Sequence, residues 1–267
     1  MNEIISNGKE VIRIEAEAIA DLQHSINEDF VNTVETIFAS KGRVVLTGMG
    51  KSGLIARKIV ATLNSTGTAA IYLHPTDALH GDLGMVRSED VVILISKSGE
   101  TEEISNLLPM LKRMNVKLIS MCGNKESKLA RECDLFLNIA VKEEACPYDL
   151  APTASTTATL ALGDALAVSL LKKRNFTAKD FAFLHPGGSL GKRLSLKIKE
   201  VMITGDRIPR VNKGTSIKDV IIEITSKRLG TTCVLDENGK LAGIITDGDL
   251  RRLLELTLDI TGLSASD

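Results

Sequence analysis

Two short segments combine glycines and hydroxyl side chains in a pattern that suits a bound phosphate group. The first, Gly48–Gly53 (GMGKSG), follows a β-branched run and opens a helical pattern. The second, Ser96–Thr101 (SKSGET), has the same position after a later strand. A helix N-terminus presents free backbone N–H groups, which bind anions well together with hydroxyl donors. The hydroxyl donors in these segments are Ser52, Ser96, Ser98 and Thr101.

The first segment also has the form GxGxxG of a dinucleotide site, which its surroundings disfavour. Such a site needs an acidic residue at the end of the next strand, but that strand ends at His74 and the nearest acid is Asp77. A P-loop needs a glycine where this chain has Val45. A general anion site remains, and its plain alternative is a tight turn without a ligand. For the second segment, the alternative is simple helix capping by Ser and Thr.

Three of the four histidines lie in loops rich in glycine and proline, where functional residues concentrate. His74 and His80 flank Pro75, and His185 precedes Pro186. These histidines are candidates for proton carriers or metal ligands. The spacing of His74 and His80 matches no recognised metal motif, and a structural role is the alternative for each.

A further candidate lies where a late strand ends in Lys142-Glu143-Glu144. Carboxylates there could act as bases, although charges at a strand end are usually solvated surface. The following stretch, 151–157 (APTASTT), predicts a capped helix start with a possible substrate contact.

The elements that would position these residues alternate between strands and helices. Strands are predicted at 43–47, 69–73, 91–95, 117–121 and 135–141, and helices at 3–39, 52–63, 102–114 and 154–173. The strands have little polar alternation, which is typical of a parallel sheet that is covered on both faces. We therefore predict an α/β, doubly wound parallel sheet of flavodoxin-like type.

The pattern changes after about residue 195. A helix is predicted at 216–227, strands at 232–235 and 241–246 with a turn between them, and a helix from Asp249. This pattern predicts a small second α/β domain, with a boundary near 195–200.

Composition excludes several classes of protein. The chain has 267 residues, 33 Lys and Arg against 34 Asp and Glu, six Phe, two Tyr and no Trp. This balance argues against nucleic-acid binding and a polybasic membrane patch. The four cysteines form no CxxC pair and the N-terminus has no signal-peptide pattern. The most apolar stretch, 157–171, falls short of a membrane span. A reduced, cytoplasmic protein is the expectation.

These motifs together resemble the sugar isomerase (SIS) domain family. Three longer segments are similar to the D-arabinose 5-phosphate isomerases within it: HPTDALHGDLGMV from His74, KEEACPYDLAPTASTTATLALGDALAV from Lys142 and FLHPGGSLGKRL from Phe183. The resemblance covers residues 1 to about 195. Residues 201–260 resemble one CBS motif. The expected domains are therefore a SIS domain at 1–195 and a single CBS motif at 201–267, without the second CBS motif that the family carries.

The resemblance implies roles for residues at matching positions. The catalytic positions are Lys51, Glu103, Glu144 and His185. The substrate-contacting positions are Gly67, Thr68, His80, the stretch from Asn106 to Asn115, and Ala140, Val141 and Lys142. His74 matches a position associated with zinc. Proton transfer requires no cofactor, so a bound zinc ion is expected to inhibit.

The implied reaction interconverts D-arabinose 5-phosphate and D-ribulose 5-phosphate through an enediolate, and its product feeds synthesis of 3-deoxy-D-manno-octulosonate (Kdo) and lipopolysaccharide. A carboxylate would take the carbon-bound proton, with Glu144 ahead of Glu103 and with a pKa raised by burial. His185 would open the sugar ring or move the oxygen-bound proton, and Lys51 would stabilise negative charge.

Because SIS sites are commonly built between subunits, the resemblance also implies a homotetramer. Three alternatives stay open at this point. The first is a non-catalytic regulator that binds a sugar phosphate, the second an isomerase of hexulose phosphates, and the third an epimerase or synthase of the same fold.

Overall fold

The computed structural model describes residues 2–187, 197–257 and 259–267. Contacts divide the chain into two units, Met1–Ser195 and Leu196–Asp267. The part of the predicted FLHPGGSLGKRL segment from residue 188 onward lies outside the described residues.

The first unit is built on a five-stranded sheet in which all neighbouring strands are parallel. The strands are β1 (Val44–Gly48), β2 (Ala70–Tyr72), β3 (Val91–Ser96), β4 (Lys117–Cys122) and β5 (Leu135–Asn138). Their order in the sheet is β2-β1-β3-β4-β5. The chain therefore moves outward in one direction after β1 and in the other after β3, which places a topological switch point between these two strands.

Helices cover both faces of this sheet. The helices of the unit are α1 (Glu3–Asp21), α2 (Glu28–Ala39), α3 (Gly50–Ser65), α4 (Pro75–Leu79), α5 (Glu102–Arg113), α6 (Lys128–Glu132), α7 (Ala154–Lys173) and α8 (Ala178–Leu184). Alternate strand residues enter two separate apolar cores: Leu46 packs with α2, α3 and α7, whereas Val45 packs with α4, α5 and α6. The predicted doubly wound fold is confirmed.

Two predicted element boundaries are wrong. The single helix expected over 3–39 is two helices, because a 3-10 turn at Leu22–Ser25 ends the first one. Asn27 begins the second, since its side-chain oxygen accepts hydrogen bonds from the N–H groups of Asp29 and Phe30. The fifth strand, expected to reach residue 141, ends at Asn138.

The long apolar helix α7 forms at the predicted residues and belongs to the core. It is the one helix among the described residues that is long and apolar enough to cross a membrane, and half of its most apolar stretch is buried within the structure. It packs against α1, α2 and α3. Burial against three neighbours accounts for its apolar composition.

The second unit has a three-stranded sheet in the order β6-β7-β8. Its elements are α9 (Ile198–Val201), β6 (Arg210–Asn212), α10 (Ile217–Lys227), β7 (Thr231–Leu235), β8 (Leu241–Thr246) and α11 (Asp247–Leu256). β6 and β7 are parallel, whereas β7 and β8 form the predicted antiparallel pair. Its small core contains Ile217, Val220, Ile224 and Leu250.

Candidate active site

The two predicted anion-binding segments follow neighbouring strands at the switch point. In the register of the sheet, Gly48 at the end of β1 lies opposite Ile95 in β3. The β1–α3 and β3–α5 loops therefore leave the carboxyl edge of the sheet side by side, while α3 and α5 cover opposite faces. A crevice at such a switch point is the usual ligand site of an open α/β sheet.

The β1–α3 loop is shaped by close packing around its glycines. Gly50 has a φ of 54°, in the left-handed region that favours glycine. A Cβ atom on Gly53 would lie 2.5 Å from the carbonyl oxygen of Gly48 and 2.7 Å from the hydroxyl of Tyr72. That hydroxyl donates a hydrogen bond of 2.8 Å to the same carbonyl. Helix α3 begins without a side-chain cap, so its first N–H groups are left for an anion.

The β3–α5 loop is held by hydrogen bonds of its own hydroxyl groups. Ser96 Oγ accepts from the N–H of Gly99 at 3.0 Å and lies 2.7 Å from Thr101 Oγ1. Ser98 Oγ accepts from the N–H of Glu100. Because Ser96 is buried and engaged within the loop, its described contacts give it a shaping role. Direct phosphate contact by Ser52, Ser96, Ser98 and Thr101 stays a prediction.

Glu144 lies beyond β5 at the same edge of the sheet, in a buried hydrogen-bonding network. Its Oε2 accepts from the N–H groups of Thr153 at 2.8 Å and Ser155 at 3.0 Å, so that the carboxylate caps α7. Its Oε1 lies 2.8 Å from the Nζ of Lys97, and the carboxylate side chain is 0% exposed. Lys97 Nζ also lies 3.5 Å from a carboxylate oxygen of Asp149.

This network corrects the expectation for the pKa of Glu144. Burial alone raises that pKa, but the ammonium group of Lys97 and the hydrogen bonds from Ser155 and Thr153 outweigh burial and lower it to about 2. The predicted rise is therefore wrong for Glu144. A carboxylate with so low a pKa is a weak base near neutral pH, which favours Glu103 for proton abstraction.

Lys51 and Glu103 occupy equivalent places on the two helices that flank the crevice. Lys51 is the second residue of α3 and Glu103 the second residue of α5. Lys51 is exposed and Glu103 is half-buried. Among the described residues, neither side chain forms an ion pair or hydrogen bond, so both remain free to meet a substrate.

Other residues that the resemblance assigns to the site also lie at the carboxyl edge. His74 follows β2 directly, and Ala140, Val141 and Lys142 follow β5, whereas His80 lies further along the chain, after α4. Lys142 forms an ion pair of 2.8 Å with Asp21 at the end of α1. Their direct contact with substrate stays a prediction.

His185 lies at the opposite, amino edge of the sheet within the same chain. Its Nε2 is 3.3 Å from the hydroxyl of Ser65, the last residue of α3, and its ring stacks on Phe181. Two further predicted contacts lie at this edge: Thr68 accepts a hydrogen bond from Arg174, and Gly67 packs against Phe176.

The stretch from Asn106 to Asn115 connects the two edges. Asn106 lies within α5, and Asn115 follows the end of that helix immediately before β4. The predicted site residues therefore form two groups at opposite edges of one chain's sheet.

The zinc position implied for His74 does not meet the needs of a metal site within this chain. Its Nδ1 is buried without a hydrogen bond, and the nearest carboxylate, on Asp77, lies 3.8 Å away. Zinc sites normally use three or four protein ligands. In the described part of the chain, no group of three His, Cys, Asp or Glu side chains is placed to hold a metal ion.

Two residues of the network were missed by sequence reasoning, Lys97 and Asp149, whereas Thr153 lies in the helix start predicted at 151–157. Lys97 and Glu144 are far apart in the sequence, so no local spacing connects them. The available signal is that both follow strands of one parallel sheet, whose carboxyl ends share an edge.

Comparisons with known proteins give matches for both units of the chain. A model of the SIS domain family matches residues 37–169, and a model of the CBS domain family matches residues 198–256. Arabinose 5-phosphate isomerase KdsD of Escherichia coli K12 is 54% identical over 260 residues, which are 97% of this chain and 79% of that protein. The chain belongs to the arabinose 5-phosphate isomerase family.

Other members and relatives of the family agree with this assignment. KdsD of Pseudomonas aeruginosa is 53% identical over 258 residues, again 97% of this chain and 79% of that protein. A protein of E. coli CFT073, solved in complex with arabinose 5-phosphate, superposes with a TM-score of 0.67 and 46% identity, over 70% of this chain and 100% of that one. The resemblance read from the motifs is confirmed.

Proposed function

We propose that the protein is an aldose–ketose isomerase that interconverts D-arabinose 5-phosphate and D-ribulose 5-phosphate. The observation that carries the proposal is the pair of anion-binding loops at the switch point, in a chain 54% identical to a curated isomerase of this kind. A site that holds a phosphate at two helix N-termini, and places a lysine and a carboxylate beside them, suits proton transfer on a sugar phosphate.

The reaction moves a proton between C1 and C2 while the phosphate stays intact. The two loops hold the phosphate at the far end of the substrate, and that binding energy orients the reacting carbons. Glu103 removes the carbon-bound proton, and Lys51 stabilises the negative charge that develops on the enediolate oxygen. Glu144, whose ionised carboxylate accepts hydrogen bonds through Oε2, holds the start of α7 in place beside them.

His185 acts from a second copy of the chain, in an assembly that we propose to be a homotetramer. The distance between the two edges of the sheet excludes His185 from the carboxyl-edge site of its own chain. Helix α1 also carries apolar residues that no described part of the chain covers: residues 2–10 are all exposed. Ile5, Ile12 and Ile19 recur every seven residues and are 50%, 68% and 43% exposed. A stripe with this period suits packing against another helix.

The proposed reaction needs no redox cofactor, because the isomerisation has no net electron transfer. The ligand is a small sugar phosphate; with a net charge of −1, the chain has no basic excess for nucleic acid or an anionic membrane. Added zinc is expected to inhibit turnover. We place the enzyme in the cytoplasm, where its arabinose 5-phosphate would supply synthesis of Kdo and lipopolysaccharide.

A coupled test of turnover and metal dependence decides the proposal. Purified protein is incubated with D-arabinose 5-phosphate, first with EDTA and then with added zinc, and ribulose 5-phosphate is measured. In D2O, proton transfer through an enediolate would also incorporate deuterium at the reacting carbon. We expect turnover with EDTA, lower turnover with zinc and deuterium in the product.

The alternative functions predict other results from the same assay. Binding of the sugar phosphate by calorimetry without turnover would indicate a non-catalytic regulator. Turnover of a hexulose phosphate at a higher kcat/KM than arabinose 5-phosphate would assign a different substrate. Lys51→Met serves as the matched inactive variant, because it keeps the length of the side chain and removes its charge.

A further inference from the structure

We propose that Lys97 is a positioning residue, which joins the β3–α5 phosphate loop to the buried carboxylate of Glu144 and thereby fixes that loop against the start of α7. The inference deepens the proposed function and rests on it for the identity of the substrate. Lys97 is not among the residues that the sequence predicts to form the site.

Both ends of Lys97 are held by different parts of the unit. Its backbone oxygen accepts a hydrogen bond of 2.9 Å from the N–H of Gly123, at the end of β4. Its Nζ lies 2.8 Å from Glu144 Oε1 and 3.5 Å from Asp149 Oδ2. Lys97 therefore connects the loop after β3 to the segments that follow β4 and β5.

The segment that carries Glu144 depends on this connection. Asp149 Oδ1 accepts from the N–H of Glu144 at 2.9 Å, and Thr153 Oγ1 accepts from the N–H of Ala145 at 2.8 Å. Tyr148 and Asp149 have φ values of 65° and 58°, which cost energy in residues other than glycine. A strained turn of this kind persists where surrounding contacts hold it, and Lys97 contacts the carboxylates of Asp149 in the turn and of Glu144 before it.

Among the described residues, Lys97 is the cationic partner of Glu144. The carboxylate faces the ammonium group of Lys97 from the β3–α5 loop, Asp149 from its own segment and the N–H groups at the start of α7. Removing the cation from a buried carboxylate destabilises the folded protein, because the charge is left without compensation. Removing Lys97 therefore leaves Glu144 without its cation. It also breaks the link between Glu144 and the loop that carries Ser98 and Thr101.

A double-mutant cycle with inorganic phosphate as the probe separates this role from direct contact with the ligand. The Kd for phosphate is measured by calorimetry for the wild type, Lys97→Met, Glu144→Gln and the double variant. We expect Lys97→Met to weaken binding about tenfold in the wild-type background and less than about twofold in the Glu144→Gln background. Lys97→Arg, which keeps the charge, is expected to restore most of the affinity.

Two further readouts accompany the cycle. The KM of Lys97→Met for D-arabinose 5-phosphate should rise with a smaller change in kcat, because the loop holds the non-reacting phosphate. Its acid-unfolding midpoint should move to higher pH, because Glu144 loses the partner that keeps it ionised. Lys58→Met is the control, since Lys58 forms a half-exposed ion pair with Asp164 on α3 and α7. It should change none of these quantities.

Equal weakening by Lys97→Met in both backgrounds would mean that Lys97 contacts the phosphate directly, and would overturn the proposal. So would unchanged binding in the wild-type background. Failure of the proposed function has a different signature: phosphate binds and the cycle is measurable, but D-arabinose 5-phosphate is not turned over. A wild type that binds no phosphate would overturn the phosphate loop and with it the role of Lys97.

Discussion

Lys51 lies at the start of helix α3, and His185, which belongs to a later part of the chain, lies beside the end of the same helix. Lys51 is the second residue of α3, whereas His185 Nε2 lies 3.3 Å from the hydroxyl of Ser65, its last residue. At about 1.5 Å per residue, the helix separates them by roughly 21 Å. General acid–base catalysis needs hydrogen-bond reach, so these two residues serve one reaction only when they come from different copies of the chain.

This separation predicts recovery of activity in mixed oligomers. Lys51→Met and His185→Ala should each be inactive alone. When the two variants are unfolded together and refolded at random, a quarter of the shared sites draw an intact Lys51 and an intact His185 from two copies, so about a quarter of wild-type activity should return. Subunit exchange is checked by mass spectrometry with one variant tagged. Mixed oligomers without any recovered activity would contradict a site shared between copies.

The low pKa of Glu144 predicts a pH-dependent stability difference between the wild type and Glu144→Gln. The folded pKa, about 2, lies below the ordinary value of 4.5. The ionised form therefore stabilises the fold fully above about pH 4.5, and this contribution is lost as the pH falls towards 2. Its upper limit is about 3 kcal/mol, reduced because solvent screens the half-exposed Lys97.

Thermal unfolding of both proteins between pH 7 and pH 3 tests this prediction. The wild type should unfold at the higher temperature near neutral pH, and the difference should shrink below about pH 4.5. Glu143→Gln, at the exposed neighbouring position, is the control. A difference between wild type and Glu144→Gln that stays constant with pH would contradict the assigned ion pair.

Most of the fold could be predicted because each element has a local signal. The strand at Val91–Ser96 is an uninterrupted apolar run, and helix Ala154–Lys173 has the predicted bounds. The break between α1 and α2 was missed although Asn27, followed by Glu28 and Asp29, has the composition of a helix start. A continuous apolar period across the break favoured a single helix.

The site could be predicted only where its residues follow strands directly. Lys51 and Glu103 lie on the first turns of helices after β1 and β3, so topology alone brings them to one crevice. The position of His185 depends on α7, whose 20 residues carry the chain about 30 Å from the carboxyl edge to the other edge. The pKa of Glu144 depends on Lys97, a contact that only the folded chain forms.

A Cβ atom at Gly99 should destabilise the β3–α5 loop. Gly99 has a φ of 74°, and an added Cβ would lie 2.1 Å from Ser127 Oγ and 2.5 Å from Ser127 Cβ. Ser127 cannot easily move, because it is buried and its hydroxyl caps α6. Gly99→Ala should lower the free energy of unfolding by about 1–3 kcal/mol and weaken phosphate binding, as measured by urea denaturation and calorimetry. Gly84→Ala, where no atom lies within 4 Å, should change stability little; equal stability of both variants would contradict the assigned strain.

The exposed isoleucine stripe of helix α1 should be needed for assembly and not for folding of the chain. Ile12 is 68% exposed and forms the middle of the stripe with Ile5 and Ile19, so Ile12→Glu places a charge where the proposed partner helix would pack. We expect a smaller mass by light scattering, an unchanged circular dichroism spectrum and lower isomerase activity, because the smaller species lacks the second copy that supplies His185.

Ile222→Glu, at a 55% exposed isoleucine of the second unit, is the matched control and should keep the wild-type mass and activity. If Ile12→Glu also keeps the wild-type mass, the copies associate through another surface, and the exposed stripe of α1 is not part of the subunit interface.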